Sequence, residues 1–216
     1  MDIEVKNIPV KKTARYFLLG KPGRHIRQVW FVCHGYGHLA GDFLKNFNAL
    51  NDGYHLVVAP EGLHRFYLYG ASGRVGASWM TKEDRLNDIN DYIDYLDNLY
   101  AEILKQLDAQ AVKINALGFS QGTATVCRWV LQGRSRVHRL ILWGGEFPPD
   151  TDWNIHGQRL EQLDIRLVCG QADPIVKMGL LQQQMELLKK NRVDFQLQTF
   201  NGHHEIDEAT LISVAK

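Results

Sequence analysis

Short apolar runs recur along the chain, separated by amphipathic or polar stretches of ten residues or more. Residues 28–33 (QVWFVC) are apolar at almost every position, the pattern of a strand covered on both faces rather than on one. Residues 55–59 (HLVVA) and 111–117 repeat it, and 139–143, 165–169 and 195–200 supply three further strands. Helical periodicity fills the gaps. Leu86, Ile89, Ile93, Leu96, Tyr100, Ile103 and Leu107 recur at alternating steps of three and four, which predicts a long amphipathic helix. Thr81, three residues before Asp84, is compatible with a capped start to it. Shorter helices are predicted over 43–50, 175–190 and 206–214, with another opening at Gly122 and carrying Val126, Trp129 and Val130 on one face. At the N-terminus, 3–6 and 13–19 read as two strands joined by a turn, followed by the turn 20–23 (GKPG). Residues 60–80 read as one long irregular segment rich in Gly and aromatic side chains.

Strands alternating with helices imply an α/β fold: a mostly parallel central sheet with helices on both faces, and antiparallel N-terminal strands at one edge. No repeat, low-complexity tract or linker interrupts the 216 residues, so a single domain over 1–216 is expected. A domain of this length buries roughly 70% of its unfolded surface. In such sheets, chemistry gathers at the carboxyl ends of the strands.

Composition narrows the function classes. Charged residues make up 23% of the chain and the formal net charge is +1, so nothing electrostatic points to nucleic acid or an anionic membrane. No apolar run approaches the roughly 20 residues of a membrane span, and residues 1–6 lack the apolar core of a signal peptide. Cys33, Cys127 and Cys169 lie far apart inside apolar runs, which suggests buried free thiols and a cytoplasmic location. The acidic residues Asp84, Asp88, Asp91, Asp94 and Asp97 lack the glycine and terminal Glu of a calcium loop and read as a solvated helix face.

One stretch carries chemistry. Gly118-Phe119-Ser120-Gln121-Gly122 follows a predicted strand directly and opens a predicted helix. Glycines on either side of a serine permit the sharp strand-to-helix turn that lifts its hydroxyl above the sheet. In any other context the motif is a common accident, and Ser120 would read as a helix cap. A serine nucleophile needs a base, and the base an orienting carboxylate, in the chain order Ser, Asp, His for this kind of turn. Asp173, just past the strand 165–169 and before Pro174, is the acid; a capping role for it is compatible with that one. The base belongs after the strand 195–200, where His203 and His204 compete; the other histidines precede Asp173 and read as surface or loop residues. The tetrahedral intermediate needs two N–H donors. One is the backbone N–H of Gln121; the other is that of Tyr36, in the loop His34-Gly35-Tyr36-Gly37-His38 after the strand 28–33. His34 and His38 have no evident third ligand, so no metal is expected.

These motifs resemble the α/β-hydrolase superfamily in its phospholipase/carboxylesterase and acyl-protein thioesterase branch. The resemblance rests on Cys33-His34-Gly35-Tyr36-Gly37, Gly118-Phe119-Ser120-Gln121-Gly122, Gly170-x-x-Asp173-Pro174-x-Val176 and Gly202-x-His204-Glu205-Ile206. It implies that the base is His204 and that His203 occupies a variable position. Thr123 departs from the pattern, since relatives often carry a further glycine there. By this reading the chain is a carboxylesterase-type serine hydrolase that cleaves esters of small or medium acyl chains through an acyl-enzyme on Ser120, without a cofactor. Acyl-protein thioesterase or lysophospholipase activity is the nearest alternative; a hydrolase-fold protein that only binds small molecules is the alternative of another class. The expected partner is a small-molecule ester or thioester, with no nucleic acid and no integral membrane association, and the oligomeric state stays open. Phe66, Tyr69, Trp79 and Met80 in the segment 60–80, with Trp143 and Phe147 opposite, are the expected substrate-binding walls.

Overall fold

The computed structural model describes residues 3–108 and 110–216; Met1 and Asp2, the start of the N-terminal stretch considered above, and Ala109 lie outside the described residues. A seven-stranded sheet has the order β1-β3-β2-β6-β7-β8-β9. Its strands are β1 (Tyr16–Leu19), β2 (Gln28–Cys33), β3 (His55–Pro60), β6 (Lys113–Phe119), β7 (Arg139–Trp143), β8 (Asp164–Gly170) and β9 (Gln196–Phe200). β1 pairs antiparallel with β3, and every other pairing in this sheet is parallel.

The apolar runs are continuous because the sheet has two cores. Val29, Phe31 and Cys33 of β2 point into one, while Trp30 and Val32 point into the other. The first core is covered by α2 (Arg85–Leu104), α3 (Gln121–Gln132), α4 (Trp153–Leu160) and α5 (Met178–Lys190). The second is covered by α1 (Ala40–Phe43), the 3₁₀ helix Leu44–Leu50 and α6 (Glu208–Ala215). All three cysteines are buried and free.

Several expectations need correction. The strand expected over 3–6 is absent: that segment has no regular structure, and Ile3, Val5, Ile8 and Val10 are all at least 80% exposed. It pairs with no strand of the sheet, and Lys6, Ile8 and Pro9 border a shallow cavity against Asp88 and Asp91 of α2. Residues 60–80 are not irregular throughout. β4 (His64–Tyr67) and β5 (Val75–Ser78) form an antiparallel hairpin, closed by Leu68 N–H donating to Arg74 O. Its polar first strand and glycine-containing second strand carry no hydrophobic alternation, which is why the pattern hid it.

Helix α2 begins at Arg85, not at Thr81: Asp84 precedes it in the left-handed region (φ 48°), and the Thr81 hydroxyl accepts from Glu83 N–H. Asp97 is not part of a solvated face. Its buried carboxylate accepts from Trp129 Nε1 at 2.9 Å and from Arg134 N–H, tying α2 to the end of α3. Helix α5 starts at Met178, so Pro174 lies in a turn and not in the helix. The unpredicted α4 is capped by Asp152, whose side chain accepts from Asn154 and Ile155 N–H.

Candidate active site

The carboxyl ends of β2, β6, β7, β8 and β9 converge on Ser120. Ser120 adopts φ 54° and ψ −119°, a conformation that costs a non-glycine residue on the order of 1–3 kcal/mol. The flanking glycines are required by space. A Cβ on Gly118 would overlap the Gly122 carbonyl, and one on Gly122 would overlap the carbonyls of Cys33 and His34. Ser120 N–H donates to Trp143 O at 3.0 Å, fixing the turn to the end of β7. The departure at Thr123 has a structural use: its hydroxyl donates to Ser120 O at 2.7 Å and also lies 3.2 Å from Glu146 O.

Asp173 divides its two oxygens between two tasks. Oδ1 accepts from the N–H groups of Ile175 (2.8 Å) and Val176 (2.9 Å), forming the turn after β8. Oδ2 accepts from His204 Nδ1 at 2.7 Å. Burial alone would raise this carboxyl, but the His204 bond and the two backbone donors outweigh it and hold Asp173 below the usual aspartate range. His203 is turned elsewhere: its ring Nδ1 bonds Ala172 O at 3.0 Å, and its backbone N–H donates to Glu205. The His204 ring packs on Phe119, with centroids 4.6 Å apart. A Cβ on Gly144, at the exit of β7, would lie 3.1 Å from that ring. Among the hydrogen bonds of the described residues, none joins Ser120 Oγ to His204.

Gly35 lies against Ser120, since a Cβ there would sit 3.2 Å from the serine Cβ. That contact brings the backbone of Tyr36 alongside the turn. Among the described residues no acceptor engages the N–H of either Tyr36 or Gln121, so both remain available to a ligand oxygen.

Sequence reasoning missed the parts that hold these donors in place. His34 is completely buried, not a surface residue. Its Nδ1 bonds Gly35 O at 2.8 Å, which leaves Nε2 to accept from Gly62 N–H at 2.9 Å. Burial pushes its pKa down to about 4, against the Gly35 bond and the Glu61 charge, which favour protonation. Trp79 Nε1 donates to His34 O. The Gln121 side chain accepts from Trp79 N–H and donates to Met80 O at 2.9 Å, lashing the elbow to the strand exit of β5. Placement of His34 straight after a buried strand was the one available signal.

The expected substrate walls separate into two groups. Trp79 and Trp143 are at most 1% exposed and act as core struts, Trp143 Nε1 donating to Glu205 O at 2.7 Å. Phe66 is half-buried beneath the Tyr36 ring, Tyr69 is 80% exposed, and Met80 lies against Arg128. Phe147 lines a cavity of about 280 Å³ together with Ser120, Ala124, Glu146, Pro148 and Ile175. Among the described residues no group of three or more His, Cys, Asp or Glu side chains is placed to hold a metal ion, and no helix is long and apolar enough to cross a membrane.

A serine in a sharp strand-to-helix turn, an aspartate–histidine pair and a glycine loop at the carboxyl ends of the strands are the arrangement of α/β-hydrolases, and comparison with known proteins agrees. The phospholipase/carboxylesterase family matches residues 16–216, and the chain belongs to that family. Its members are hydrolases, and so is this chain. Acyl-protein thioesterase 2 from Zea mays superposes with a TM-score of 0.71 at 18% identity, covering 94% of this chain and 96% of its own. A carboxylesterase from Mesorhizobium loti gives 0.70 at 16% identity, with 94% and 93% covered. A phospholipase/carboxylesterase from Dyadobacter fermentans gives 0.67 at 17% identity, with 96% and 97% covered. No curated protein sequence matches the chain.

Proposed function

We propose that this chain is a serine hydrolase of carboxylic esters with small or medium acyl groups, acting through an acyl-enzyme on Ser120. The observation that carries this reading is the 2.7 Å bond from His204 Nδ1 to Asp173 Oδ2, beside a serine held in the strained elbow conformation. With its Nδ1 proton committed to Asp173, the imidazole presents a free Nε2 lone pair. That nitrogen takes the Ser120 proton as Oγ attacks the carbonyl carbon. The N–H groups of Tyr36 and Gln121 receive the developing oxyanion. Collapse expels the alcohol, which takes its proton back from His204. Water then gives a proton to His204 and attacks the acyl-enzyme; the acyl–Oγ bond breaks, the acid leaves, and Ser120 Oγ takes the proton from His204.

The cavity beside Ser120, about 280 Å³, has the volume of about nine liquid waters at ~30 Å³ each, which suits a short or medium acyl group. The likeness to a solved acyl-protein thioesterase makes thioesters the second substrate to test. Labelling with a fluorophosphonate probe tests the core of the proposal: the wild-type chain should be labelled and Ser120→Ala should not. An unlabelled wild type, or a labelled Ser120→Ala, would reject it in favour of a binding protein. A series of p-nitrophenyl esters run beside acyl-CoA and lysophospholipid then ranks the leaving groups.

A further inference from the structure

The cavity beside Ser120 is built almost wholly from uncharged groups: Ala124, Phe147, Pro148, Ile175 and Val176 among them. Of the described residues that line it, Glu146 alone is ionisable. It follows Gly145 directly, and its own carbonyl lies 3.2 Å from the Thr123 hydroxyl that donates to Ser120 O, so its backbone sits close to the elbow. No cation pairs with its side chain among the described residues. Arg128 of α3 is committed to Asp150 through Nη2 at 2.7 Å and Nε at 3.2 Å. Among the described residues the one side-chain donor to Glu146 is the neutral amide of Gln184, at a long 3.4 Å, and the other end of that amide accepts from Phe147 N–H. Partial burial with no compensating charge raises the Glu146 carboxyl above the usual range.

A half-buried carboxylate without a partner loses hydration when an apolar ligand fills the space next to it. It regains a counter-charge when the ligand brings a cation. We infer that Glu146 is a specificity-determining residue that favours esters whose acyl group carries a cationic ammonium substituent over those with a plain alkyl chain. This rests on the reading of Ser120 as the nucleophile. The argument concerns the acyl half of the substrate and leaves the leaving group open. A site arranged to satisfy a polar group discriminates against the analogue that lacks it more sharply than an apolar pocket discriminates by size.

The test uses two p-nitrophenyl esters of matched shape, 4-(trimethylammonio)butanoate and 5,5-dimethylhexanoate, which differ by a quaternary nitrogen in place of a quaternary carbon. The quantity read is the ratio of their kcat/KM values, which cancels any loss of folded or active enzyme. The wild type should prefer the cationic ester, Glu146→Gln should lose about tenfold of that ratio, and Glu146→Lys should carry it below the Gln value. Equal ratios in all three proteins would overturn the inference while leaving the serine hydrolase intact, because the neutral ester would still be cleaved and Ser120 still labelled. If the wild type cleaves neither ester and Ser120 takes no fluorophosphonate, the hydrolase reading and this inference fall together.

Discussion

Lowering the pH should weaken this fold through one buried side chain, His34, before its carboxylates begin to titrate. In the fold the imidazole is fully buried and its pKa lies near 4, against 6.5 for an unburied histidine. The unfolded chain therefore takes up this proton first as the pH falls. Stability from this group is flat above the unfolded value, is lost as the pH drops below it, and stops changing below the folded value. The full difference corresponds to about 3 kcal/mol, of which about 2 kcal/mol is lost between pH 7.5 and pH 5. Protonation also has a structural consequence. Nε2 now accepts from Gly62 N–H at 2.9 Å, and a proton there would set donor against donor. His34→Gln is the matched control, because a glutamine oxygen reaches a similar position and does not titrate. Urea unfolding of both proteins at the two pH values gives a double difference in which His38 and the carboxylates cancel. The expected result is a wild-type loss larger by about 2 kcal/mol. Identical losses in the two proteins would refute the reasoning and place the His34 proton equilibrium at its ordinary value.

Three further outcomes follow from the geometry. Ser120→Ala should lower turnover of p-nitrophenyl butyrate by about 10⁴- to 10⁶-fold without loss of secondary structure by circular dichroism. His204→Ala should lose about 10³-fold or more in kcat while His203→Ala keeps most of its activity, and the opposite ranking would make His203 the base. Asp97→Ala should cost about 2–3 kcal/mol in urea unfolding, since it strands the Trp129 indole N–H and the Arg134 backbone N–H inside the protein. A loss near zero would return Asp97 to the solvated face first expected of it.

The legible parts of this chain are those set by short-range rules. Strands buried on both faces announce themselves as continuous apolar runs, and β2, β3, β6 and β7 were readable on that ground alone. The elbow was readable because two glycines and a serine between a strand and a helix leave few other structures. What stayed hidden depends on partners far away in sequence. Residues 3–6 alternate like a strand, yet alternation does not by itself secure a partner, and they stay exposed and unpaired beside α2. Asp97 looks like its solvent-facing neighbours on α2 until Trp129, 32 residues away, supplies a donor. Trp79 and Trp143 read as walls of a pocket because aromatic side chains near a site are ambiguous; only their indole N–H bonds to His34 O and Glu205 O show them as struts. Spacing alone left His203 and His204 in competition and only the family resemblance favoured His204; in the fold the two rings diverge, His204 Nδ1 bonding Asp173 Oδ2 and His203 Nδ1 bonding Ala172 O.

The struts explain how a strained serine stays in place. A φ of 54° at Ser120 would relax if the turn had room or slack, and the structure removes both. Gly122 is pressed against the Cys33 and His34 carbonyls, so the helix cannot slide toward β2. Ser120 N–H is held by Trp143 O and its carbonyl by the Thr123 hydroxyl, so the peptide planes on either side of the serine cannot rotate. Gln121 is tied through its side chain to Trp79 and Met80, and Trp79 in turn holds the loop that carries Tyr36. The two N–H groups proposed to receive the oxyanion therefore sit on one connected frame with Ser120, the proposed nucleophile. Rate enhancement by preorganised donors needs that rigidity, because a donor that must reorganise as charge develops gives back part of what it stabilises. On this argument the elbow strain and the buried His34–Trp79–Gln121 chain are two aspects of one requirement: donors and nucleophile must keep their separation while charge moves between them.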